Sequence, residues 1–472
     1  MKILLLDLPA HRVVNESSLK QVMENFGVLP SISLLYVAAV LEKSGCDVFY
    51  FSLNDGSISR AELIPKIKYI SPDIIGCTLY TSPYHGNIEW IRWLKNNFDC
   101  KIMVGGVHVG IFPEETILYN KEIDYGIVGE GEVVLPKFIN ALNNSRDLKE
   151  IKGLVYRNGK GEVIFNGYPE LLKNIDEAPF PARHLVDNSK FYNFISERKN
   201  YTVFNSSRGC PFGCIFCEAA RTKWRARSPG NIADEFEECY EKFNIREIDI
   251  FDSSFTIDKK RVIEICNEIK RRNLHKHIIW DIRSRVDTID EEMLENLRDA
   301  GCYRIFYGIE SGNPDILKTL SKGADIERMK YIIGYTKKMG ISAFGYFLVG
   351  SPGEDRRTYR DTLNFSLKLP LDFCIFNIVT AYPRTKLYEE YYLKRTGRDF
   401  WKEYVKRDEP SIDAIERPWT DLSREQLIRM AREAMVKFYF RPIQYLRILR
   451  TIKSFEQVKR YLRAAIDMTL NK

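Results

Sequence analysis

Two tracts of this chain repeat one pattern, a short apolar run followed by an amphipathic stretch and then another apolar run. In the first tract the runs fall at residues 3–6, 47–52, 73–79, 101–104 and 124–128, with helix-like sequence such as Ser33-Leu-Leu-Tyr-Val-Ala-Ala-Val-Leu41 between them. Short apolar runs separated by helix-period segments predict parallel strands with helices on the sheet faces, because parallel neighbours need a crossover. The first tract is therefore expected to be a doubly wound, Rossmann-like α/β sheet. In the second tract the runs recur at 202–205, 247–252, 278–282, 304–309, 343–349 and 373–379, each followed by helix-like sequence such as 291–300. Six such units predict a parallel (β/α)6 barrel of the partial TIM type.

Between the tracts the periodicity loosens. A hairpin is expected around Tyr156-Arg-Asn-Gly-Lys-Gly-Glu, and the prolines of Ala178-Pro-Phe-Pro-Ala-Arg-His interrupt any helix. The expected domains are 1–145, the doubly wound sheet; 146–200, a linker with the hairpin; 201–400, the barrel; and 401–472, a helical cap. That cap includes a helical run over 425–440 and is rich in aromatics interleaved with arginine. It serves either as packing or as a lid that admits an apolar substrate.

With 472 residues, 44% hydrophobic and 29% charged, the chain can bury sizeable cores. Asp7 and Pro9 cut the first apolar run too short for a signal peptide, and no run approaches a membrane span, so a cytoplasmic protein is expected. Net charge is +7, and residues 423–472 carry twelve Lys/Arg against four Asp/Glu. That segment suits an anionic membrane surface, nucleic acid or an acidic substrate, and equally a solvated helix face. Peripheral membrane contact is retained as a partner; nucleic acid is not expected.

The chemistry concentrates in Cys210-Pro-Phe-Gly-Cys214-Ile-Phe-Cys217, introduced by Asn205-Ser-Ser-Arg-Gly. It puts three thiols on one tight loop with no fourth partner nearby. Structural zinc wants four ligands, usually in two pairs, and a ferredoxin run needs a fourth cysteine soon after. Disulfides do not suit ten cysteines scattered through a chain with no secretory segment. A four-iron cluster on three thiolates keeps one iron open, a place to bind and reduce a substrate.

Cys-x-x-x-Cys-x-x-Cys with an aromatic before the last cysteine resembles the radical S-adenosylmethionine (SAM) superfamily. The resemblance implies that Cys210, Cys214 and Cys217 ligate a [4Fe-4S] cluster whose open iron chelates SAM, with Phe216 near the adenine. Barrel chemistry sits at the carboxyl ends of strands. By that rule Asp252, Arg285, Glu310 and Gly350-Ser-Pro-Gly-Glu354 point to one mouth. The family pattern implies that Glu310 accepts from the ribose hydroxyls and that backbone at Val349–Gly350 meets the adenine. Asp252 stands near where many members use Gly-Gly-Glu for the methionine amine. Arg285 and Glu354 are either cofactor contacts or structural ion pairs, and Cys374, on the last strand, is either a cavity thiol or a buried hydrophobe.

In the first tract the glycines cluster after strands, at Gly105-Gly106-Val-His108 and Gly129-Glu130-Gly131-Glu132, where backbone can approach a bulky ligand or simply turn. With the helix near residue 33, Pro113-Glu-Glu and Asp124-Tyr-Gly-Ile-Val, these runs resemble the cobalamin-binding domain that precedes the radical core in one subgroup. The Asp-x-His-x-x-Gly motif that places histidine on cobalt is missing, so no lower histidine ligand is expected. His108 is a candidate contact to the cofactor's tail.

The resemblance implies an enzyme that reductively cleaves SAM to a 5′-deoxyadenosyl radical and, with cobalamin, methylates an unactivated carbon of a small molecule. The electron donor would be a flavodoxin or ferredoxin. The alternatives are an oxidative cyclase or rearranging enzyme similar to the anaerobic cyclase of chlorophyll biosynthesis and, from another class, a non-catalytic iron–sulfur or RNA-binding module.

Overall fold

The computed structural model describes residues 1–9, 27–54, 58–323, 325–407, 411–453 and 457–462. It divides into two compact units, the first Met1–Val13, Pro30–Asp187 and Asp399–Ala414, the second Val14–Leu29, Asn188–Arg398 and Ile415–Lys472. Among the described residues no helix is long and apolar enough to cross a membrane.

The first unit is built on parallel strands β1 (Lys2–Asp7), β2 (Asp47–Ser52), β3 (Ile74–Thr78), β4 (Lys101–Gly105) and β5 (Tyr125–Ile127) in the order β2-β1-β3-β4-β5. Ile3, Leu4, Leu5 and Leu6 are fully buried, as a central strand covered on both faces requires. Helices α1 (Ile32–Lys43), α2 (Arg60–Ile70), α3 (Tyr84–Asn97), α4 (Val107–Ile111), α5 (Pro113–Leu118) and α6 (Gly131–Asn143) supply the crossovers. A capping box between Ser59 and Glu62 starts α2, and Leu34, Leu35 and Ala38 of α1 share a core with Val134, Leu135 and Phe138 of α6.

The hairpin expected in the connecting segment forms, as β6 (Leu154–Arg157) and β7 (Val163–Phe165), and it extends this sheet with two antiparallel strands. Register pairs Ile127 with Leu154 and Val155 with Phe165. The short β5 would otherwise leave its outer backbone groups unpaired. The chain also returns to this unit late: helix α13 (Phe400–Lys406) places the Tyr404 hydroxyl 2.8 Å from the Ser82 carbonyl it donates to.

The second unit holds β8 (Tyr201–Phe204), β9 (Glu247–Ile250), β10 (Ile279–Ser284), β11 (Cys302–Glu310), β12 (Ser342–Val349) and β13 (Phe373–Ile378), all parallel and ordered as in sequence. β8 and β13 are the two edges of the sheet, so the barrel is partial, as the six-unit alternation predicted. Helices α7 (Pro229–Phe243), α8 (Lys259–Arg271), α9 (Glu291–Asp299), α10 (Pro314–Thr319), α11 (Ile326–Lys338) and α12 (Arg356–Lys368) follow the strands. The connections work because a side chain accepts from the first free amides at each start: Ser228, Asp258, Asp290, Asn313, Asp325 and Asp355. Ile248, Ile250, Ile282, Ile305 and Phe347 pack outward against Phe236, Ile265 and Ile332. After the barrel come α14 (Arg424–Tyr439) and α15 (Pro442–Thr451).

Alternation turns the other strand residues inward, and several are charged. Arg283 donates to both oxygens of Asp249, whose Oδ2 also accepts from Tyr201 at 3.0 Å. The Arg283 guanidinium lies 3.5 Å from the Phe251 ring centroid. Burial and the adjacent Asp249 push Asp281 well above the ordinary carboxylate range, favouring its protonated form.

Candidate active site

Strand β8 delivers the chain into the cysteine loop. Just after it, Ser207–Arg208 pairs antiparallel with Arg225–Ala226, closing the loop at its base. Inside, the Cys210 amide donates to the Thr222 hydroxyl at 2.9 Å, which donates to the Ala219 carbonyl at 2.6 Å, and the Arg221 amide donates to the Phe212 carbonyl at 2.8 Å. Gly209 has φ +84°, and a Cβ there would stand 2.3 Å from the Lys223 carbonyl oxygen. No other residue fits that crossing.

Cys210 and Cys214 are buried and Cys217 half-buried, with Phe216 half-buried between the last two. Burial pushes the thiols of Cys210 and Cys217 up, so as bare side chains they stay protonated at neutral pH. Metal ligation deprotonates a thiol, so three sulfurs on one loop are a donor set that a bound metal cation would convert to thiolates. Among the described residues no group of three Cys, His, Asp or Glu converges on a single ion. A multi-iron cluster has no such requirement, because each thiolate binds its own iron.

Asp252 follows β9 and is 1% exposed. Its Oδ1 accepts from the Ser206 and Ser207 amides at 2.7 and 3.0 Å, and its Oδ2 from both hydroxyls at 2.6 Å. All four partners sit where the cysteine loop begins. The carboxylate expected near a cofactor amine is thus engaged with the protein, tying β9 to that loop.

Arg285 follows β10. Its Nη1 donates to the Cys214 sulfur at 3.3 Å, its Nε and Nη2 grip Asp287 at 2.8 and 2.5 Å, and its guanidinium covers the Phe212 ring at 4.1 Å. The ion pair with Asp287 exists, and it aims the cation at the thiol loop.

Glu310 ends β11 at φ +66°, an uncommon conformation for a non-glycine residue, where the register with β12 also shifts. Its Oε1 accepts from the buried Lys322 at 3.0 Å. A Cβ on Gly308 would lie 2.6 Å from that oxygen and 2.7 Å from Lys322 Nζ, so the glycine makes room for the pair. Beyond β12, Gly350 at φ +83° and Ser351 both donate amides to Glu354 Oε2, the first by a short bond and the second at 3.3 Å, while the Gly350 carbonyl accepts from Trp419 at 2.8 Å. The Val349 carbonyl accepts from the Val379 amide at 2.9 Å. Burial pushes Glu354 up to about 7, and the partners it has are backbone amides and not the cation of an ion pair. Cys374 faces away from the mouth, in the core shared with α14, its backbone bonded to the Tyr439 hydroxyl.

Sequence reasoning misses Lys322, Thr222, Gly308 and the Asp249–Asp281–Arg283 cluster. Arg283 and Asp281 had a signal, since they share strand parity with Arg285.

In the first unit the strand order reverses direction between β1 and β3, the switch point at which sheets of this kind leave a ligand crevice beyond their carboxyl ends. Gly105 ends β4 and Gly106 follows it, while Gly129 and Glu130 lead from β5 into α6, which starts at Gly131. Gly106 has φ +101°, and a Cβ would meet the Leu79 carbonyl at 2.7 Å; at Gly129, φ +84°, it would meet Pro169 at 2.7 Å. Glu130 is engaged by the Leu172 amide at 2.7 Å. Tyr80, just after β3, and Val107, the first residue of α4, are 41% and 44% exposed at this end of the sheet. His108 departs from the expectation. Its ring is fully buried, stacked on Tyr84 at 4.1 Å, and burial pushes it down to about 3. This imidazole is turned into the core of the first unit and is not presented at the strand ends.

Comparison with known proteins agrees with both halves. The B12 binding domain matches residues 23–139 and the radical SAM superfamily matches residues 204–366. An uncharacterized methyltransferase of Pyrococcus horikoshii is 32% identical over 449 residues, covering 94% of this chain and 93% of that one. The chain belongs to the cobalamin-dependent radical SAM family. Another member, the anaerobic magnesium-protoporphyrin IX monomethyl ester cyclase of Rubrivivax gelatinosus, is 27% identical over 77% of this chain and 66% of its own. In fold, the chain is similar to the cobalamin-dependent SAM radical enzyme OxsB, whose structure holds aqua-cobalamin and SAM, with TM-score 0.67 and 19% identity over 99% of this chain and 72% of that one. As a family member the protein is an enzyme whose cofactors are a [4Fe-4S] cluster, SAM and cobalamin.

Proposed function

We propose that this enzyme methylates an unactivated carbon of a small-molecule substrate, with Cys210, Cys214 and Cys217 as cluster ligands. The observation that carries the reading is the three-thiol loop with no fourth ligand, held at the carboxyl end of the barrel by Asp252 and Thr222. When bound, the cluster and SAM supply a hydrogen-abstracting radical, and cobalamin supplies the methyl group.

The chain's own residues position and shield. Glu310, with one oxygen held by Lys322, presents its other oxygen as an acceptor for the ribose hydroxyls. Backbone at Val349 and Gly350 and the ring of Phe216 flank the adenine, and Arg285 adds a cation beside Cys214. Asp252 acts as a positioning residue for the cysteine loop and does not touch SAM. Gly105, Gly106, Gly129, Glu130 and Gly131 shape the cobalamin crevice through their backbone. A flavodoxin or ferredoxin would supply electrons.

The test is anaerobic reconstitution with reductant and methyl-labelled SAM. Deoxyadenosine formation together with label on the bound cobalamin supports methylation. Deoxyadenosine without labelled cobalamin would favour the ring-forming alternative, and intact SAM would overturn both.

A further inference from the structure

Helix α15 is amphipathic the wrong way round. Two of its polar residues and the arginine that caps it point into the protein: Gln444 is fully buried and donates to the Asp372 carbonyl, Arg447 donates to the Leu369 and Leu371 carbonyls at 3.3 and 3.2 Å, and the cap residue Arg441 donates to the Leu367 carbonyl. Of its apolar residues, Ile448 packs against the core of the sheet and the others point out. Ile443, Tyr445, Leu446 and Leu449 are 48–62% exposed, and Phe440, just before the helix, is 38% exposed. A helix whose cations satisfy buried carbonyls while three aliphatic side chains and two aromatic rings stay in water has an outer face built for something other than solvent.

Charge selects the occupant. Residues 423–472 carry twelve Lys/Arg against four Asp/Glu; Arg441 and Arg447 are turned inward, while exposed Lys437, paired with Glu433, and exposed Lys453 flank the apolar stripe in sequence. A second copy would bring two cationic segments together, which repels. A nucleic acid has no use for an aliphatic stripe. An anionic bilayer matches both features, apolar side chains entering the acyl boundary and lysines meeting the headgroups.

We propose that α15 is a docking surface for an anionic lipid membrane. The carbonyls it grips precede β13, so it lies at the amino end of the barrel, opposite the cysteine loop at the carboxyl end. Docking would hold the enzyme on the bilayer with the mouth of the barrel turned away from it.

The test uses the full chain with reconstituted cofactors, in co-sedimentation with phosphatidylcholine vesicles with and without phosphatidylglycerol. The expected result is binding that requires phosphatidylglycerol, weakens with salt, and falls about tenfold in the double variant Leu446→Asp/Leu449→Asp. Deoxyadenosine formation and the thermal midpoint in lipid-free buffer should not change, because both side chains are exposed; if the aspartates disturb folding, Leu446→Ser/Leu449→Ser serves instead. Absence of binding to anionic vesicles, or undiminished binding by the folded variants, overturns the proposal. So does a lipid-free dimer that the variants split, which would assign the face to a second copy.

Discussion

The guanidinium of Arg285 donates to the sulfur of Cys214 across 3.3 Å while Asp287 holds it from the other side. A fixed cation beside a proposed cluster ligand favours the form with the extra electron. Arg285→Gln should therefore lower the cluster's reduction potential by about 50 mV, close to a tenfold change in the one-electron equilibrium. A redox titration followed by electron paramagnetic resonance measures this, and Arg285→Lys should recover part of the shift. An unchanged potential would reduce Arg285 to a packing residue.

Asp252→Asn removes the charge from four hydrogen bonds at the base of the cysteine loop and turns one acceptor into a donor facing other donors. The expected loss is about 2–4 kcal/mol of stability, read as a lower thermal midpoint. Iron content after reconstitution should fall with it, while the affinity of whatever cluster-loaded protein remains for SAM should stay within about twofold, since both carboxylate oxygens are engaged by Ser206 and Ser207.

Gly209→Ala places a Cβ against the Lys223 carbonyl and forces a side chain into left-handed backbone. We expect about 1–3 kcal/mol of strain and a loop that no longer takes up iron stoichiometrically. Circular dichroism should show the rest of the protein folded.

Glu310→Gln keeps the shape of the side chain while removing the partner charge of buried Lys322. SAM affinity, measured by equilibrium binding to the oxidised protein, should drop about tenfold or more. Glu310→Ala strands the lysine and should in addition destabilise by about 3–5 kcal/mol.

Glu354 gives a pH signature. Its folded value is raised to about 7 from an ordinary 4.5, so the native state binds more protons than the unfolded state between those limits. Stability from this group is therefore fully present below about 4.5, declines as pH rises to about 7, and levels off above it, a loss of up to about 3 kcal/mol. Glu354→Gln should flatten that part of the profile in denaturant titrations. Glu247, raised by burial to about 7 as well, contributes a similar slope that the variant leaves in place.

What could be read from the chain depended on how local the cause was. The cysteine loop is legible because three thiols within eight residues fix its chemistry by spacing alone. The strand alternation is legible because burial on both faces writes itself as apolar runs. Asp252 is another matter: an aspartate after a strand looks the same whether it turns to a ligand or back to Ser206 and Ser207. His108 likewise sits in the crevice by sequence, and only the ring of Tyr84 shows that it points into the core. Lys322 lies twelve residues from Glu310, and the hairpin Leu154–Phe165 completes a sheet edge that the sequence does not display. Each of these is a long-range pairing with no local signature.

The struts of the cysteine loop, Thr222 on the Cys210 amide, the Ser207–Ala226 pairing and the carboxylate of Asp252, are all peptide and side chain. The polypeptide thus anchors the loop at its base from both neighbouring strands, and the spacing of the three sulfurs is set in part before anything binds between them.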